Sequence, residues 1–275
     1  MFSVLFPGQG SQAVGMIKNL YNNFTYVKSF FNQADEILKI SLSKMILEGP
    51  KEILDKTENT QPAIFLASYS IFQVIKNETS FDLNKAEFFA GHSLGEYSAL
   101  ACAESISFEK TIKLLKYRGK AMSNAVPSGE GGMIAVLGTD IKNINEIINM
   151  NNYKCFIAND NSVGQIVISG IIKDLNSLSN KLKEANIKNI KLSVSAPFHC
   201  KLMNSATEIM NKEINIVQFE IPKNNIISNV TASSCRDPNE IKKLLVQQIE
   251  RPVRWRESVI NMINSGVQKF IEIGP

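Results

Sequence analysis

Ser93 stands in the pattern Gly91-His92-Ser93-Leu94-Gly95, with a glycine two positions away on each side. A serine hydroxyl is a weak nucleophile at neutral pH and reacts only when a neighbouring group activates it. The G-x-S-x-G pattern is typical of a nucleophile elbow, a sharp turn between a strand and a helix. Such a turn exposes the hydroxyl and places the Leu94 N–H near developing oxyanion charge. A purely structural turn is the alternative, but the flanking elements favour catalysis by Ser93.

The base that activates Ser93 must come from a short set, because the chain has only two histidines. His92 is adjacent to Ser93, and neighbours at a tight turn usually project in different directions, so we expect it to pack under the elbow. His199 lies far along the chain, as catalytic partners commonly do. A lone loop histidine can also be a surface or capping residue, yet His199 is the better candidate for the base. No acidic residue stands out as a third member, so we expect a dyad oriented by a neutral amide or carbonyl.

The elements around Ser93 read as strand, turn and helix. Residues 3–6 and 86–90 are short apolar runs typical of buried strands, and the small-residue segment 93–103 predicts a helix. The loop Pro7–Gln12 follows the first strand. It does not match the G-x-G-x-x-G fingerprint, so a dinucleotide site is not favoured, whereas a backbone N–H from this loop could serve as a second oxyanion donor.

The glycine-rich stretch 127–132 predicts a domain boundary. The order that follows is β-α-β-β-α-β, the pattern of a ferredoxin-like unit. We also expect a helix to begin near Thr60, with Pro62 in its first turn. The chain is therefore predicted to be an α/β body interrupted by a small α/β insert. The predicted strands of the insert cover 133–137, 153–159, 165–170 and 190–194, its helices cover 140–150 and 175–185, and residues 160–164 form a turn.

Composition narrows the class of protein. A hydrophobic fraction of 44% and a net charge of +4 are ordinary for a globular protein, and the mild charge favours solvated lysine-rich faces over a nucleic-acid site. The weaker alternative is a basic surface suited to an acidic protein partner. The four cysteines form no C-x-x-C pair, so we expect reduced thiols and no zinc site. Neither a signal peptide nor a membrane-spanning run is visible, which predicts a cytoplasmic protein.

Nine motifs in this order give the chain a strong resemblance to the malonyl-CoA:acyl carrier protein transacylases, acyltransferases of fatty-acid and polyketide synthesis. The resemblance runs nearly end to end, and the first and third motifs are highly specific at this spacing. The motifs are FPGQGSQ (6–12), QPAIFLAS (61–68), GHSLGEYSAL (91–100), YRGKAM (117–122), IANDN (157–161), APFH (196–199), NVTA (229–232), QIERPVRW (248–255) and EIGP (272–275).

The resemblance implies an α/β-hydrolase-like body with a parallel sheet, formed by residues 1–127 and 197–275, and a ferredoxin-like subdomain at 128–196. It implies malonyl transfer from malonyl-CoA to the phosphopantetheine thiol of an acidic acyl carrier protein, with no cofactor, no metal, no nucleic acid and no membrane, by a monomer. The implied site consists of Ser93 as nucleophile, His199 as base, the Gln9 and Leu94 N–H groups as oxyanion hole, Arg118 for the malonyl carboxylate, and Gln248 to orient the histidine.

Two rival functions share parts of this pattern. A serine acyl hydrolase or thioesterase would use the same elbow, although the YRGKAM segment favours transfer of a charged acyl group. A non-catalytic module that binds carrier proteins would not need Ser93, His199 and Arg118 together. A stand-alone acyltransferase serving polyketide synthesis is a further alternative. Phe198 is compatible with malonyl and discriminates only weakly against methylmalonyl, and relatives usually extend beyond the segment that ends here at Pro275.

Overall fold

A computed structural model describes residues 1–275 and contains two separate β-sheets surrounded by helices. The strands are β1 (Phe2–Phe6), β2 (Phe88–Gly91), β3 (Gly131–Leu137), β4 (Cys155–Ser162), β5 (Gln165–Ile171), β6 (Lys188–Lys191), β7 (Asn225–Ile227), β8 (Ser234–Cys235) and β9 (Lys269–Glu272). The α-helices are α1 (Lys18–Asn23), α2 (Thr25–Leu38), α3 (Leu42–Glu48), α4 (Lys51–Leu54), α5 (Thr57–Glu78), α6 (Gly95–Cys102), α7 (Phe108–Asn124), α8 (Ile141–Met150), α9 (Ile172–Glu184), α10 (Asn204–Asn215), α11 (Pro238–Gln247) and α12 (Trp255–Asn264). No helix is both long enough and apolar enough to span a bilayer.

The larger sheet has the order β8-β7-β2-β1-β9 and is parallel except for β8 at its edge. Its central strands β1 and β2 pair in register from Ser3 with Phe88 to Phe6 with Gly91. Parallel sheets are stable when helices cover both faces, because their strands are apolar on both sides. Val4, Phe6 and Phe89 are fully buried in the main core, which also contains much of α5 and α6. The α/β class expected from the sequence is confirmed.

The smaller sheet is antiparallel, with the order β4-β5-β3-β6. Its elements follow one another as β3-α8-β4-β5-α9-β6, which is the β-α-β-β-α-β order expected from the sequence. A separate cluster of ten buried residues, among them Ile144, Ile168 and Leu178, joins α8 and α9 to the sheet. The exact division of the chain, with a subdomain at 128–196, stays a prediction.

Strand β4 joins the smaller sheet to α12 and the segment before it. The Asp160 N–H donates to the Val253 carbonyl at 2.9 Å, and the Val253 N–H donates to the Ala158 carbonyl at 2.8 Å. The Arg256 Nε also lies 3.0 and 2.9 Å from the two carboxylate oxygens of Asp160. Because Asp160 is 6% exposed, this pair fixes β4 against the start of α12. The smaller sheet is therefore held against the C-terminal part of the chain at this strand.

Several element boundaries differ from those expected, most clearly in α5, β4 and β6. Helix α5 begins at Thr57, which places Pro62 inside the helix rather than in its first turn. The Thr60 hydroxyl does not cap the helix, because it donates to the Leu54 carbonyl at 2.7 Å. Strand β4 continues to Ser162 through the residues predicted as a turn, where register shifts accommodate the polar side chains. Strand β6 covers Lys188–Lys191 instead of 190–194. The Leu192 N–H still donates to the Met133 carbonyl at 3.0 Å, and Leu192 and Val194 line the cavity beside Ser93.

Candidate active site

The turn at Ser93 lies between the end of β2 and the start of α6, as the sequence predicted. Ser93 has φ +54°, a conformation that residues other than glycine seldom adopt and that often marks functional sites. The two flanking glycines are required by space. A Cβ at Gly91 would lie 1.9 Å from the Gly95 carbonyl carbon, and one at Gly95 would lie 2.4 Å from the Phe6 carbonyl oxygen. The glycines thus allow the strand, the turn and the helix to pack closely under the serine.

Asn229 holds this turn in place. Its Oδ1 accepts the Ser93 N–H at 2.7 Å, and its Nδ2 donates to the Gly91 carbonyl at 2.7 Å. Asn229 is fully buried, so both hydrogen bonds are shielded from water. The NVTA motif that contains Asn229 contributed to the family resemblance, but sequence reasoning assigned this residue no role.

Ser93 and His199 form a hydrogen-bonded pair, with 2.8 Å between Oγ and Nε2. The other ring nitrogen, Nδ1, lies 2.7 Å from the Gln248 backbone carbonyl. A carbonyl oxygen can only accept, so Nδ1 carries the proton and Nε2 is left free to accept the serine proton. The structure thus brings together the predicted nucleophile, the predicted base and a neutral orienting group. Gln248 contacts the histidine through its main chain, and its side chain has other partners.

The environment keeps His199 uncharged. Burial lowers the pKa of His199 to about 3, and the positive charge of Arg118 contributes in the same direction. Desolvation penalises the imidazolium, and a neighbouring cation repels it. His199 is therefore neutral at physiological pH, which is the form that can accept a proton.

Arg118 is buried beside the nucleophile. Only 1% of its surface is exposed, and its Nη2 donates to Ser93 Oγ at 3.0 Å and to Gln248 Oε1 at 2.8 Å. Its Nη1 donates to Gln61 Oε1 at 2.8 Å, and the guanidinium lies over the Tyr97 ring at 5.6 Å. These three hydrogen-bond acceptors are all neutral. A buried cation held by neutral groups at a reactive serine is suited to an anionic part of a substrate.

The two predicted oxyanion donors also lie at this site. Neither the Gln9 N–H nor the Leu94 N–H has a hydrogen-bond acceptor within the protein, and both residues line the cavity beside Ser93. The loop that carries Gln9 packs against the elbow, because a Cβ at Gly8 would lie 2.9 Å from His92 Nδ1. Two unpaired N–H groups next to a nucleophile can stabilise the oxyanion of a tetrahedral intermediate.

His92 makes no hydrogen bond to Ser93, although it lines the same cavity. Its Nε2 lies 2.9 Å from Asn161 Oδ1 on β4, and its ring meets Trp255 edge to face. Burial lowers the pKa of His92, so it is neutral and serves in packing and hydrogen bonding. Asn161 belongs to the IANDN motif, so this contact helps to join the small sheet to the elbow.

A cavity of about 90 Å³ lies in front of Ser93, between the two sheets. It continues into a more open groove that shares Gln9, His92 and Asn159 with it. The polar groups described above form one side of the cavity. Its apolar wall consists of Leu94, Met122, Met133, Val167, Leu192, Val194 and Phe198.

Comparisons with known proteins identify the family to which the chain is similar. The acyl transferase domain family matches residues 4–275. The malonyl CoA-acyl carrier protein transacylase of Bacillus subtilis strain 168 is 41% identical, over 98% of this chain and 86% of its own length. The crystal structure of an acyl-carrier-protein S-malonyltransferase from Bartonella henselae superposes with a TM-score of 0.96 at 40% identity, over 99% of this chain and 88% of the other. A malonyl-transacylase in complex with a holo acyl-carrier protein of a type II polyketide synthase matches with a TM-score of 0.95 at 36% identity, over 100% of this chain and 89% of the other.

Proposed function

The chain belongs to the acyl transferase domain family, and we propose that it transfers the malonyl group of malonyl-CoA to the phosphopantetheine thiol of an acyl carrier protein. Transfer passes through a malonyl ester on Ser93 and supplies fatty-acid biosynthesis. The observation that carries this proposal is the buried guanidinium of Arg118, 3.0 Å from the Ser93 hydroxyl oxygen. A catalytic serine alone would suit many acyl groups, whereas a cation at this position favours one with a carboxylate.

The first half-reaction forms the acyl-enzyme. His199 Nε2 accepts the Ser93 proton as Oγ attacks the thioester carbonyl carbon of malonyl-CoA. The tetrahedral oxyanion is held by the Gln9 and Leu94 N–H groups, which have no backbone acceptor in the protein. The Gln248 carbonyl stabilises the imidazolium that forms, through the Nδ1 proton. Collapse of the intermediate expels the CoA thiolate, which takes the proton from His199.

In the second half-reaction the carrier thiol is the nucleophile and Ser93 is the leaving group. The carrier thiol donates its proton to His199 and attacks the malonyl ester, and the same two N–H groups hold the new oxyanion. His199 then returns a proton to Ser93 Oγ as the serine leaves. CoA leaves before the carrier thiol reacts with the covalent malonyl-enzyme, so the kinetics are ping-pong.

Arg118 binds the carboxylate of the malonyl group. Its contact with Ser93 Oγ places the guanidinium within reach of an acyl group bonded to that oxygen. Gln61 and Gln248 also accept hydrogen bonds from the guanidinium, so it is positioned before the substrate arrives. The carboxylate is clamped in a small, partly apolar cavity, which disfavours the productive approach of water and so limits hydrolysis.

The proposal also covers the partner protein, the oligomeric state and the cellular compartment. The net charge of +4 suits an acidic carrier protein, because opposite charges accelerate encounter. We propose that the enzyme works as a monomer, since all the groups of the site come from one chain. The four cysteines are free thiols, as expected of a protein in the reducing cytoplasm.

Intact-mass measurement after brief exposure to malonyl-CoA tests the function. We expect a single malonyl adduct on the native protein, lost on addition of holo carrier protein with appearance of malonyl-carrier. Ser93→Ala removes only a hydroxyl and should fold normally but carry no adduct. Rapid decay of the adduct in buffer without carrier would instead favour the acyl hydrolase. Binding of carrier without any adduct would favour the non-catalytic module, and an adduct on Ser93→Ala would remove Ser93 as the nucleophile.

A further inference from the structure

The mechanism above does not use the buried carboxylate of Glu96. Glu96 is the second residue of α6, three positions after the nucleophile, and is only 2% exposed. Burying a carboxyl group is costly unless its oxygens accept hydrogen bonds. Its Oε2 accepts the Asn229 N–H at 3.1 Å and the Gln248 Nε2–H at 2.8 Å. Glu96 therefore contacts the two residues that hold the elbow and the base.

The side chain of Gln248 lies between two groups of opposite hydrogen-bonding character. On one side its Nε2 donates to Glu96 and, at 3.0 Å, to the Ser93 carbonyl. On the other side its Oε1 accepts from Arg118 Nη2 at 2.8 Å. A side-chain amide can be turned by half a rotation, which exchanges its oxygen and nitrogen. Because a guanidinium only donates, the exchanged orientation would place two donors against each other and leave Arg118 without this acceptor.

We propose that Glu96 is a positioning residue that fixes the side-chain amide of Gln248 and, through it, the Arg118 guanidinium that binds the acyl carboxylate. The inference rests on the proposed function, since it concerns selectivity for a malonyl group at the same site. Glu96 has no contact with the reacting atoms, and it acts together with the Ser93 carbonyl to select one of the two amide orientations. Loss of this selection should weaken the recognition of a charged acyl group more than the transfer chemistry itself.

The requirement is for acceptor oxygens at position 96 rather than for a full negative charge. Burial raises the pKa of Glu96 to about 7, opposed by its hydrogen bonds from Asn229 and Gln248. The carboxyl group can accept both bonds with or without its proton. A glutamine at this position would also turn its oxygen toward the same place, because the Asn229 N–H needs an acceptor there. Glu96→Gln should therefore preserve the positioning that Glu96→Ala removes.

The test is the ratio of malonyl to acetyl loading rates on Ser93, measured by intact mass for each variant. We expect Glu96→Ala to lower this ratio about tenfold, which is the typical effect of one lost hydrogen-bond arrangement at a charged group. Glu96→Gln should stay within about twofold of the native ratio, because it restores the acceptor. Gln248→Ala should lower the ratio by itself, and adding Glu96→Ala to it should change little more, since both act through one amide. Glu104→Ala removes a partly exposed carboxylate just after the same helix and serves as the matched control, with an unchanged ratio.

Several outcomes would overturn the inference. An unchanged ratio in folded Glu96→Ala would show that Gln248 does not depend on it. Additive effects of Glu96→Ala and Gln248→Ala would show that Glu96 acts elsewhere, and an equal loss of malonyl and acetyl loading would show a merely structural role. If Glu96→Ala does not fold, Glu96→Asp replaces it in the comparison with Gln248→Ala and is judged by the same outcomes, because it withdraws the carboxylate by one methylene. Absence of malonyl loading in the native protein would refute the proposed function itself, and this inference with it.

Discussion

Replacing Arg118 with alanine is the most informative perturbation of the acyl site. In the native protein the guanidinium is 1% exposed and donates hydrogen bonds to Gln61, Gln248 and Ser93 Oγ. The alanine variant loses the contact with Ser93 Oγ whichever acyl-CoA is used. Only a malonyl group, however, loses a partner for its own carboxylate, since acetyl has none. The ratio of malonyl to acetyl loading therefore isolates the recognition of the carboxylate.

The size of the effect follows from burial. Removing one member of a buried, hydrogen-bonded charge pair typically costs about 2–5 kcal/mol, because the other charge is left unpaired. At about 1.4 kcal/mol per factor of ten, the malonyl-to-acetyl ratio should fall by roughly 30-fold to several thousandfold. We expect the lower part of this range, because the cavity continues into an open groove from which water can solvate the carboxylate. Arg118→Lys should recover only part of the loss, since an ammonium keeps the charge but cannot form the planar fork.

The assay is time-resolved intact mass of the native protein and both variants with malonyl-CoA and acetyl-CoA at equal concentration. Unfolding temperature provides the control, because the variants must remain folded for the ratio to have meaning. An unchanged ratio in folded Arg118→Ala would refute the assignment and show that another residue reads the carboxylate. A full recovery in Arg118→Lys would show that charge alone is enough, without the geometry of the guanidinium.

Two further predictions concern the base. His199→Ala should slow both half-reactions by about 10²–10⁴-fold in rapid-mixing experiments, because one imidazole serves both. The control His92→Ala should mainly lower the unfolding temperature. An effect of His199→Ala on only one half-reaction would contradict the shared role. Since burial and Arg118 lower the pKa of His199 to about 3, the neutral imidazole persists as the pH falls through the ordinary histidine value near 6.5. The loading rate should then be nearly constant between about pH 8 and pH 5, and a loss of rate with a midpoint near 6.5 would show that the base titrates normally.

The sequence predicted the architecture well where a pattern of apolar residues is compatible with only one kind of secondary structure. The apolar runs that became β1 and β2, and the alternation of strands and helices after residue 131, are fixed by burial of local segments. The predicted start of α5 was wrong because Thr60 and Pro62 resemble a helix cap and a first-turn proline. In the structure the helix begins earlier, and the Thr60 hydroxyl donates to the Leu54 carbonyl. A local pattern cannot show which backbone group its side chains will meet once the chain has folded.

The same distinction separates the site residues that could be predicted from those that could not. Ser93 is marked by its glycines, and His199 by the scarcity of histidine, so the sequence could single out both residues, which folding brings to 2.8 Å from each other. Asn229, Gln61 and Glu96 carry no such mark, because amides and carboxylates are common on any surface. Their importance comes from burial beside the elbow, the guanidinium and Gln248, which depends on contacts between distant segments.

The position of Arg118 also bears on how a neutral dyad can activate a serine. The guanidinium lowers the pKa of His199, which by itself weakens the base. It also donates directly to Ser93 Oγ at 3.0 Å, so it stabilises the negative charge that develops on that oxygen as the proton leaves. When a malonyl carboxylate pairs with the guanidinium, part of the positive charge near His199 is compensated, and the imidazole becomes a stronger base. Acetyl-CoA brings no such compensation. We therefore expect the selectivity of this site to lie in the rate of acylation as well as in the binding of the substrate.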